Sequence, residues 1–165
     1  MKQEITSAGT SLKQVPALFR FIPWTPGTRN LDYGGGKYNR GSLFLHERKV
    51  RNLVYDPFNR TLTHNDAVMR SVVDQGADTV TLANVLNVIK EPEIRLEVLR
   101  RVSMLVKPGG RVYISIHIGK NTGMGAQTSR GWQENRSKRS YLSEIQAVFP
   151  DVIYQGGFFI CPTRI

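Results

Sequence analysis

Three stretches of this chain carry residue types at spacings that can do chemistry. The first is Leu31-Asp32-Tyr33-Gly34-Gly35-Gly36, a carboxylate followed closely by three glycines. Glycine lets a backbone approach a ligand closely, and a helix after such a turn offers N–H groups that lack partners within the helix. The second is Asp56, 24 residues further on, in Tyr55-Asp56-Pro57-Phe58. A carboxylate about 20 residues beyond a glycine turn is placed to accept both hydroxyls of a ribose. The third is Leu82-Ala83-Asn84-Val85-Leu86-Asn87, where an apolar run meets two amides. Taken alone, the first stretch is also readable as a glycine-rich turn without function. Taken together, the three point to a nucleoside-containing ligand.

These stretches cooperate only if strands and helices carry them to one edge. Residues 30–33 read as a short strand running into the glycines, and 42–47 as the start of a helix that Ser42 can cap. A second strand over 51–55 stops at Asp56-Pro57, and 59–64 reads as loop. Asn65 can cap a helix over 66–75 with Val68, Met69 and Val72 on its apolar face, ended by Gly76. A third strand covers 78–83. Pro92 suits the first turn of the next helix, whose apolar residues Ile94, Val98, Leu99, Val102 and Leu105 recur at helical spacing up to Pro108-Gly109-Gly110. Alternation of Val112, Ile114 and Ile116 with polar neighbours predicts a fourth strand over 111–117. Beyond a long basic loop over 118–136 come a helix over 141–149 and a hairpin of 151–154 with 158–161. Upstream, 1–29 is a helical lead-in, with a helix over 11–22 interrupted by Pro16. Strands alternating with helices and closed by an antiparallel pair predict an α/β open sheet. In such sheets the ligand crevice lies at the carboxyl ends of the first and third strands, where the strand order reverses.

The chain has 165 residues, which supports one domain over 1–165 and leaves no room for a second of normal size. Its only cysteine, Cys161, excludes a disulfide framework and a cysteine-built zinc cluster, and no metal site is expected. Met1-Lys2-Gln3-Glu4-Ile5-Thr6 lacks the apolar stretch of a secretory leader. No run approaches the ~18 apolar residues of a membrane span, so a cytoplasmic protein with no membrane partner is expected. The net charge is +10, which suggests a polyanionic partner, DNA or RNA. The excess lies in 37–51, with Lys37, Arg40, Arg48, Lys49 and Arg51, and in 120–139, with Lys120, Arg130, Arg136, Lys138 and Arg139. Solvated faces that aid solubility are the alternative reading of both.

The order Asp32-x-Gly34-x-Gly36, Tyr55-Asp56-Pro57, Asn84-Val85-Leu86-Asn87-Val88-Ile89, then Leu105-Val106-Lys107-Pro108-Gly109-Gly110 resembles the class I S-adenosylmethionine-dependent methyltransferases. The strings Asp56-Pro57-Phe58 and Asn84 through Pro92 are similar to short methyltransferases of phages and of phosphorothioate DNA-modification gene clusters. The resemblance covers about residues 30–117 well and the rest loosely. It implies a Rossmann-like, mostly parallel sheet with helices on both faces, and S-adenosyl-L-methionine as cofactor. Asp32 and the backbone of Gly34, Gly35 and Gly36 would then hold the methionine end, and Asp56 the ribose hydroxyls. Pro57 and Phe58 would flank adenine, and the region of Asn84 and Val85 would meet the methionine amine or the sulfonium side. Tyr38 replaces the third glycine of the family's turn. Only 22 residues separate Asp56 from Asp78, too few for helix, strand and helix, so one strand and one helix of the family's fold are expected to be missing. With them goes the usual adenine-contacting acid, for which Asp66 is a candidate substitute.

The reaction is less legible than the cofactor. The Asp/Asn-Pro-Pro-aromatic string of amino methyltransferases acting on bases is absent at Asn84-Val85-Leu86-Asn87. A cytosine C5 enzyme needs a Pro-Cys nucleophile, whereas Cys161 lies in a terminal strand and reads as core. Candidate substrate groups are Asn87, His117, Arg130 and Trp132. His117 is either a base at the sheet edge or a hydrogen-bonded structural histidine. Trp132 either stacks on a nucleobase among cations or anchors its loop. The expectation is therefore a reduced methyltransferase acting on nucleic acid, or else a non-catalytic module of the same fold that binds adenosylmethionine or nucleic acid. A nicotinamide enzyme is disfavoured, because Gly34-Gly35-Gly36 does not make the Gly-x-Gly-x-x-Gly spacing.

Overall fold

The computed structural model describes residues 2–165. The first strand, β1 (Arg29–Tyr33), leads through α2 (Arg40–His46) to β2 (Arg51–Tyr55), and α3 (Leu62–Gln75) leads to β3 (Ala77–Ala83). Then α4 (Pro92–Leu105) leads to β4 (Val106–Ser115). After α5 (Leu142–Gln146), β7 (Ile153–Gln155) and β8 (Phe158–Pro162) close the chain as a hairpin. One sheet holds six strands in the order β2-β1-β3-β4-β8-β7, and β1 pairs in parallel with both β2 and β3. The strand order therefore reverses at β1, where a crevice opens at the carboxyl ends.

Burial on both faces explains why the strands read as apolar runs. On β4, Val112 and Ile114 join the core formed with α3, α4 and α5, whereas Tyr113, on the other face, packs with Leu18 and Ile22. Helix α1 (Ala17–Phe21) contributes Phe19 to a cluster with Phe44 and Leu45 of α2. Gly156 and Gly157 both take positive φ, as a tight hairpin between β7 and β8 requires.

The sheet ends at β2, and α3 runs from it straight to β3, so among the described residues no strand and second helix intervene, as the short spacing predicts. Two side chains of α3 close the bared edge. His64 Nε2 donates to the Val54 carbonyl at 2.7 Å. Asn65, expected to cap a helix over 66–75, lies buried inside it, accepting from Asp56 N at 3.1 Å and donating to Asp56 O at 2.9 Å. The cap is Thr61, whose hydroxyl accepts from His64 N, so the helix starts within the segment expected to be loop.

Other boundaries differ for physical reasons. Of the lead-in over 1–29, Met1 lies outside the described residues. The helix expected over 11–22 is only α1, because Pro16 has no N–H to give and suits a helix start rather than an interior; a 3₁₀ turn at Ala8–Thr10 precedes it. Strand β4 begins at Val106 and takes in Pro108-Gly109-Gly110 through a register shift opposite Ala77 and Thr79, and it stops at Ser115. The 141–149 helix is a 3₁₀ turn at Lys138–Tyr141 followed by α5. The basic loop contains a hairpin, β5 (Ala126–Thr128) with β6 (Gly131–Gln133). Buried Asn135 holds that segment by accepting from Lys120 N and donating to Met124 O. Such amide pins leave no periodic pattern in a sequence. No helix among the described residues is long and apolar enough to cross a membrane.

Candidate functional site

At the end of β1 the chain turns through Gly34 and Gly36 at φ 79° and 75°, a left-handed region that favours glycine. Gly34 N donates to Tyr55 O at 2.7 Å, which fixes the turn against the end of β2. A Cβ at Gly34 would come within 2.7 Å of Val85, one at Gly35 would strike the Asp32 carboxylate, and one at Gly36 the Ser11 hydroxyl. Bare backbone is therefore required at all three positions.

Asp56 serves the turn directly. Its Oδ2 accepts from Gly36 N at 2.8 Å, and its Oδ1 accepts from Phe58 N and Asn59 N, both at 2.9 Å. From the other side Arg60 Nε donates to Gly36 O at 2.8 Å, and its Nη2 donates to Asn39 Oδ1. Asp32 is buried and accepts the Thr81 hydroxyl at 3.0 Å. Burial is the main cause that raises its pKa to about 6; the Thr81 bond opposes this, the charge of Asp56 adds to it, and Arg60 and Asn52 offset it in part.

Across the crevice Asn84 adopts φ 58°, a conformation that asparagine tolerates better than most residues. Its N donates to Ser115 O, and its Oδ1 accepts the Ser115 hydroxyl at 3.1 Å, tying the end of β3 to the end of β4. Asp32, Gly34, Gly35, Gly36, Asp56, Pro57, Phe58, Asn84 and Val85 all line one cavity of about 430 Å³. That is ample for a small molecule, since such sites run from about 300 to 1,000 Å³.

The same cavity is lined by residues the sequence reasoning missed, including Ser11, Tyr38, Asn59 and Arg101. The segment before α1 lies over it: Ser7 Oγ donates to Val88 O, Lys37 N donates to Ser11 Oγ, and Lys90 pairs with Glu4 at 2.6 Å. Arg101 of α4 lies 5.4 Å from the Tyr55 ring centre, and that ring packs 4.7 Å from Tyr33. Asn59 had a legible signal, since Asp-Pro-x-Asn is turn chemistry in which the aspartate accepts backbone N–H groups two and three residues on. Ser11 and Arg101 reach the site through packing alone.

The four expected substrate groups do not line the cavity. Asn87 is buried, donating to Gln133 Oε1 and accepting from His117 N, and thus joins the 3₁₀ turn at Leu86–Val88 to the basic segment. His117 is exposed beyond the end of β4, and Arg130 is exposed on the β5–β6 turn. Trp132 is half-buried, donates to Glu134 Oε2 at 2.7 Å, and has Lys90 Nζ 5.4 Å from its ring centre. Asp66 lies exposed on α3, outside the cavity. Cys161 is fully buried, and burial pushes its thiol up, which suits core rather than a nucleophile. Among the described residues no group of His, Cys, Asp or Glu side chains could hold a metal ion.

No protein-family model matches the chain, and no curated protein is similar to it in sequence. Solved structures are similar to it in fold. One is a 1,6-didemethyltoxoflavin-N1-methyltransferase from Burkholderia thailandensis with bound 1,6-didemethyltoxoflavin and S-adenosylhomocysteine, at TM-score 0.58 and 15% identity over 85% of this chain and 72% of that one. Another is a SAM-dependent methyltransferase from Methanosarcina mazei, at 0.61 and 12% over 93% and 100%. A third is a sugar N-methyltransferase from a Streptoalloteichus species, at 0.58 and 11% over 90% and 84%. At these identities the likeness shows the fold. It is the Rossmann-like fold of the class I S-adenosylmethionine-dependent methyltransferases, reduced at the β2 edge.

Proposed function

We propose that this protein is an S-adenosylmethionine-dependent methyltransferase acting on nucleic acid. The observation that carries the cofactor half is the convergence, in one cavity at the β1–β3 reversal, of Asp32, the three glycines, Asp56, Pro57, Phe58, Asn84 and Val85, all chosen from the sequence for that ligand, with Asp66 alone left outside. The residues fit the group. Bare glycine backbone borders the cavity on one side, and Phe58, 41% exposed, offers an aromatic face on the other. A carboxylate has about four lone-pair sites, and Asp56 uses three of them in its short backbone bonds, so a ribose hydroxyl would take the one left on Oδ2 in place of the long Asn59 Nδ2 bond at 3.4 Å. Asp32 and the Gly34–Gly36 turn would hold the methionine end, Pro57 and Phe58 the adenine, and Asn84 and Val85 the span between them. When bound, the cofactor supplies a methyl group on a sulfonium sulfur, open to in-line displacement by an acceptor lone pair. The chain's own contribution is then alignment of the two reactants and exclusion of water.

The nucleic-acid half is supported by the +10 charge and by the resemblance of the Asp56-Pro57-Phe58 and Asn84–Pro92 strings to phage-type and phosphorothioate-associated enzymes. On this reading the protein works in the cytoplasm. A second reading has a specific observation in its favour: His117 is outside the cavity, and both cavity aspartates are engaged by protein donors. That describes a binding module without a free base. Calorimetric titration with adenosylmethionine and adenosylhomocysteine, then labelled methyl transfer onto DNA, RNA, protein and small-molecule pools, separates the two. Binding with transfer to nucleic acid supports the enzyme, binding without transfer to any pool supports the module, and no binding of either sulfur ligand ends the enzyme and the adenosylmethionine-binding module alike.

A further inference from the structure

The missing strand leaves a groove between α2 and the bare edge of β2, lined by Ser42, His46, Lys49, Arg51 and Asn52 among others and by no carboxylate. Ser42 borders this groove and also the candidate cofactor cavity, so the two lie on either side of one residue. Asn52 Nδ2 donates to Ser42 Oγ at 3.0 Å, which fixes the junction.

Each basic cluster holds both engaged and exposed cations once folded: in the first, Arg48 pairs with Glu47 and lies over the Phe44 ring, and in the second, Lys120 and Arg130 are exposed and in no ion pair among the described residues. In the second, Arg136 pairs with Glu144 at 2.7 Å and Glu134 at 3.8 Å, while Lys138 and Arg139 lie over the rings of Phe158 and Tyr154 beside the β7–β8 hairpin, at the opposite end of the sheet. In the first, Arg40, Lys49 and Arg51 are exposed, and among the described residues none is in an ion pair. Lys49 also takes a left-handed conformation, φ 58°, unfavourable for a lysine.

We infer that this groove is the track along which a nucleic-acid strand reaches the cavity, with Arg40, Lys49 and Arg51 meeting its phosphates. The inference rests on the nucleic-acid acceptor proposed above and names the surface that serves it. Cationic contacts to phosphates make affinity fall with salt, by a log–log slope of about 0.7 to 0.9 per contact.

The test is fluorescence anisotropy of labelled single-stranded DNA and RNA with the full chain over a salt series. The triple variant Arg40→Gln, Lys49→Gly, Arg51→Gln should bind at least about tenfold more weakly, with a salt slope shallower by about 2. Lys138→Gln with Arg139→Gln should stay within about twofold of the parent. Lys49→Gly alone should bind more weakly while melting no lower than the parent, because it relieves the backbone strain. Calorimetry with adenosylhomocysteine on parent and triple variant reports the cofactor reading separately, and the two affinities should agree. The groove is overturned if the triple variant keeps the parental affinity and slope, if the Lys138 and Arg139 variant loses as much, or if polyaspartate at equal charge competes as well as the oligonucleotide.

Discussion

Asp56 Oδ2 accepts the Gly36 N–H at 2.8 Å, so the carboxylate that ends β2 and the glycine turn that ends β1 form one unit. Oδ1 extends that unit to Phe58 and Asn59, and Arg60 closes it from the far side through Gly36 O. A residue chosen from the sequence as a ligand contact is thus also the post on which the ligand turn is hung.

Asp56→Ala should therefore cost more than a contact. Three backbone N–H groups lose their acceptor, each buried loss being worth about 1–3 kcal/mol. Thermal denaturation should show a clear fall in midpoint, and calorimetry at least about a tenfold loss of adenosylhomocysteine affinity. Asp56→Asn keeps one oxygen acceptor and should fall between. Parental affinity in the alanine variant would remove Asp56 from the site.

Asp32 predicts a pH dependence. Its pKa is about 6 when folded against an ordinary value of 3.8, chiefly because of burial. Between those values the folded state holds a proton that the unfolded chain releases, so this contribution to stability is present below about pH 4 and is lost as pH rises through about 6. The full loss is on the order of 3 kcal/mol. Asp32→Asn, which can still accept from Thr81, should gain stability on the parent from pH 4 to 7 in urea titrations. A difference that stays flat across that range would contradict the buried proton.

Arg95 is 4% exposed, and its Nε and Nη2 donate to both oxygens of Glu144 at 2.9 and 3.0 Å, while Nη1 donates to Ile89 O and Lys90 O. Burial pushes the Glu144 carboxyl up, but the hydrogen bonds from Arg95 and Arg136 outweigh that and hold it below its ordinary value. Glu144→Ala strands the buried Arg95 charge and should cost about 3–5 kcal/mol in urea denaturation, whereas Arg95→Met leaves Glu144 its bond from Arg136 and should cost less. The double variant Arg95→Met, Glu144→Leu should cost less than the sum of the single changes. Additive costs would show that the pair is not coupled.

The β2 edge yields a graded pair. Asn65→Ala leaves the buried N–H and C=O of Asp56 without their side-chain partner, expected to cost about 2–3 kcal/mol. His64→Ala frees only the Val54 carbonyl on the outer edge, where water can replace the lost donor, and should cost under about 1 kcal/mol. Hydrogen exchange at β2 should accelerate more in the first variant. The reverse order would mean that His64, not Asn65, holds the edge.

The sequence by itself determined the sheet and which strand ends line the cavity. Asp32 with its glycines, Asp56 and Asn84 each end a strand, and strand ends are legible because apolar runs and glycine or proline stops are local signals. The shortage of chain between Asp56 and Asp78 likewise announced the missing strand, since length alone forbids it. Only the tertiary structure decided what each polar residue does. Asn65 reads as a cap and became an edge pin, Asn87 joins the Leu86–Val88 turn to the basic segment, Trp132, read either as a stacking group or as a loop anchor, bonds Glu134, and Ser11 and Arg101 entered the cavity unannounced. The same holds for charge: Arg136, Lys138 and Arg139 emerged paired or stacked on rings, whereas Arg40, Lys49 and Arg51 emerged exposed and outside any ion pair among the described residues. Apolar burial is a property of each residue and its period, whereas a polar side chain takes its role from the partner that folding brings to it.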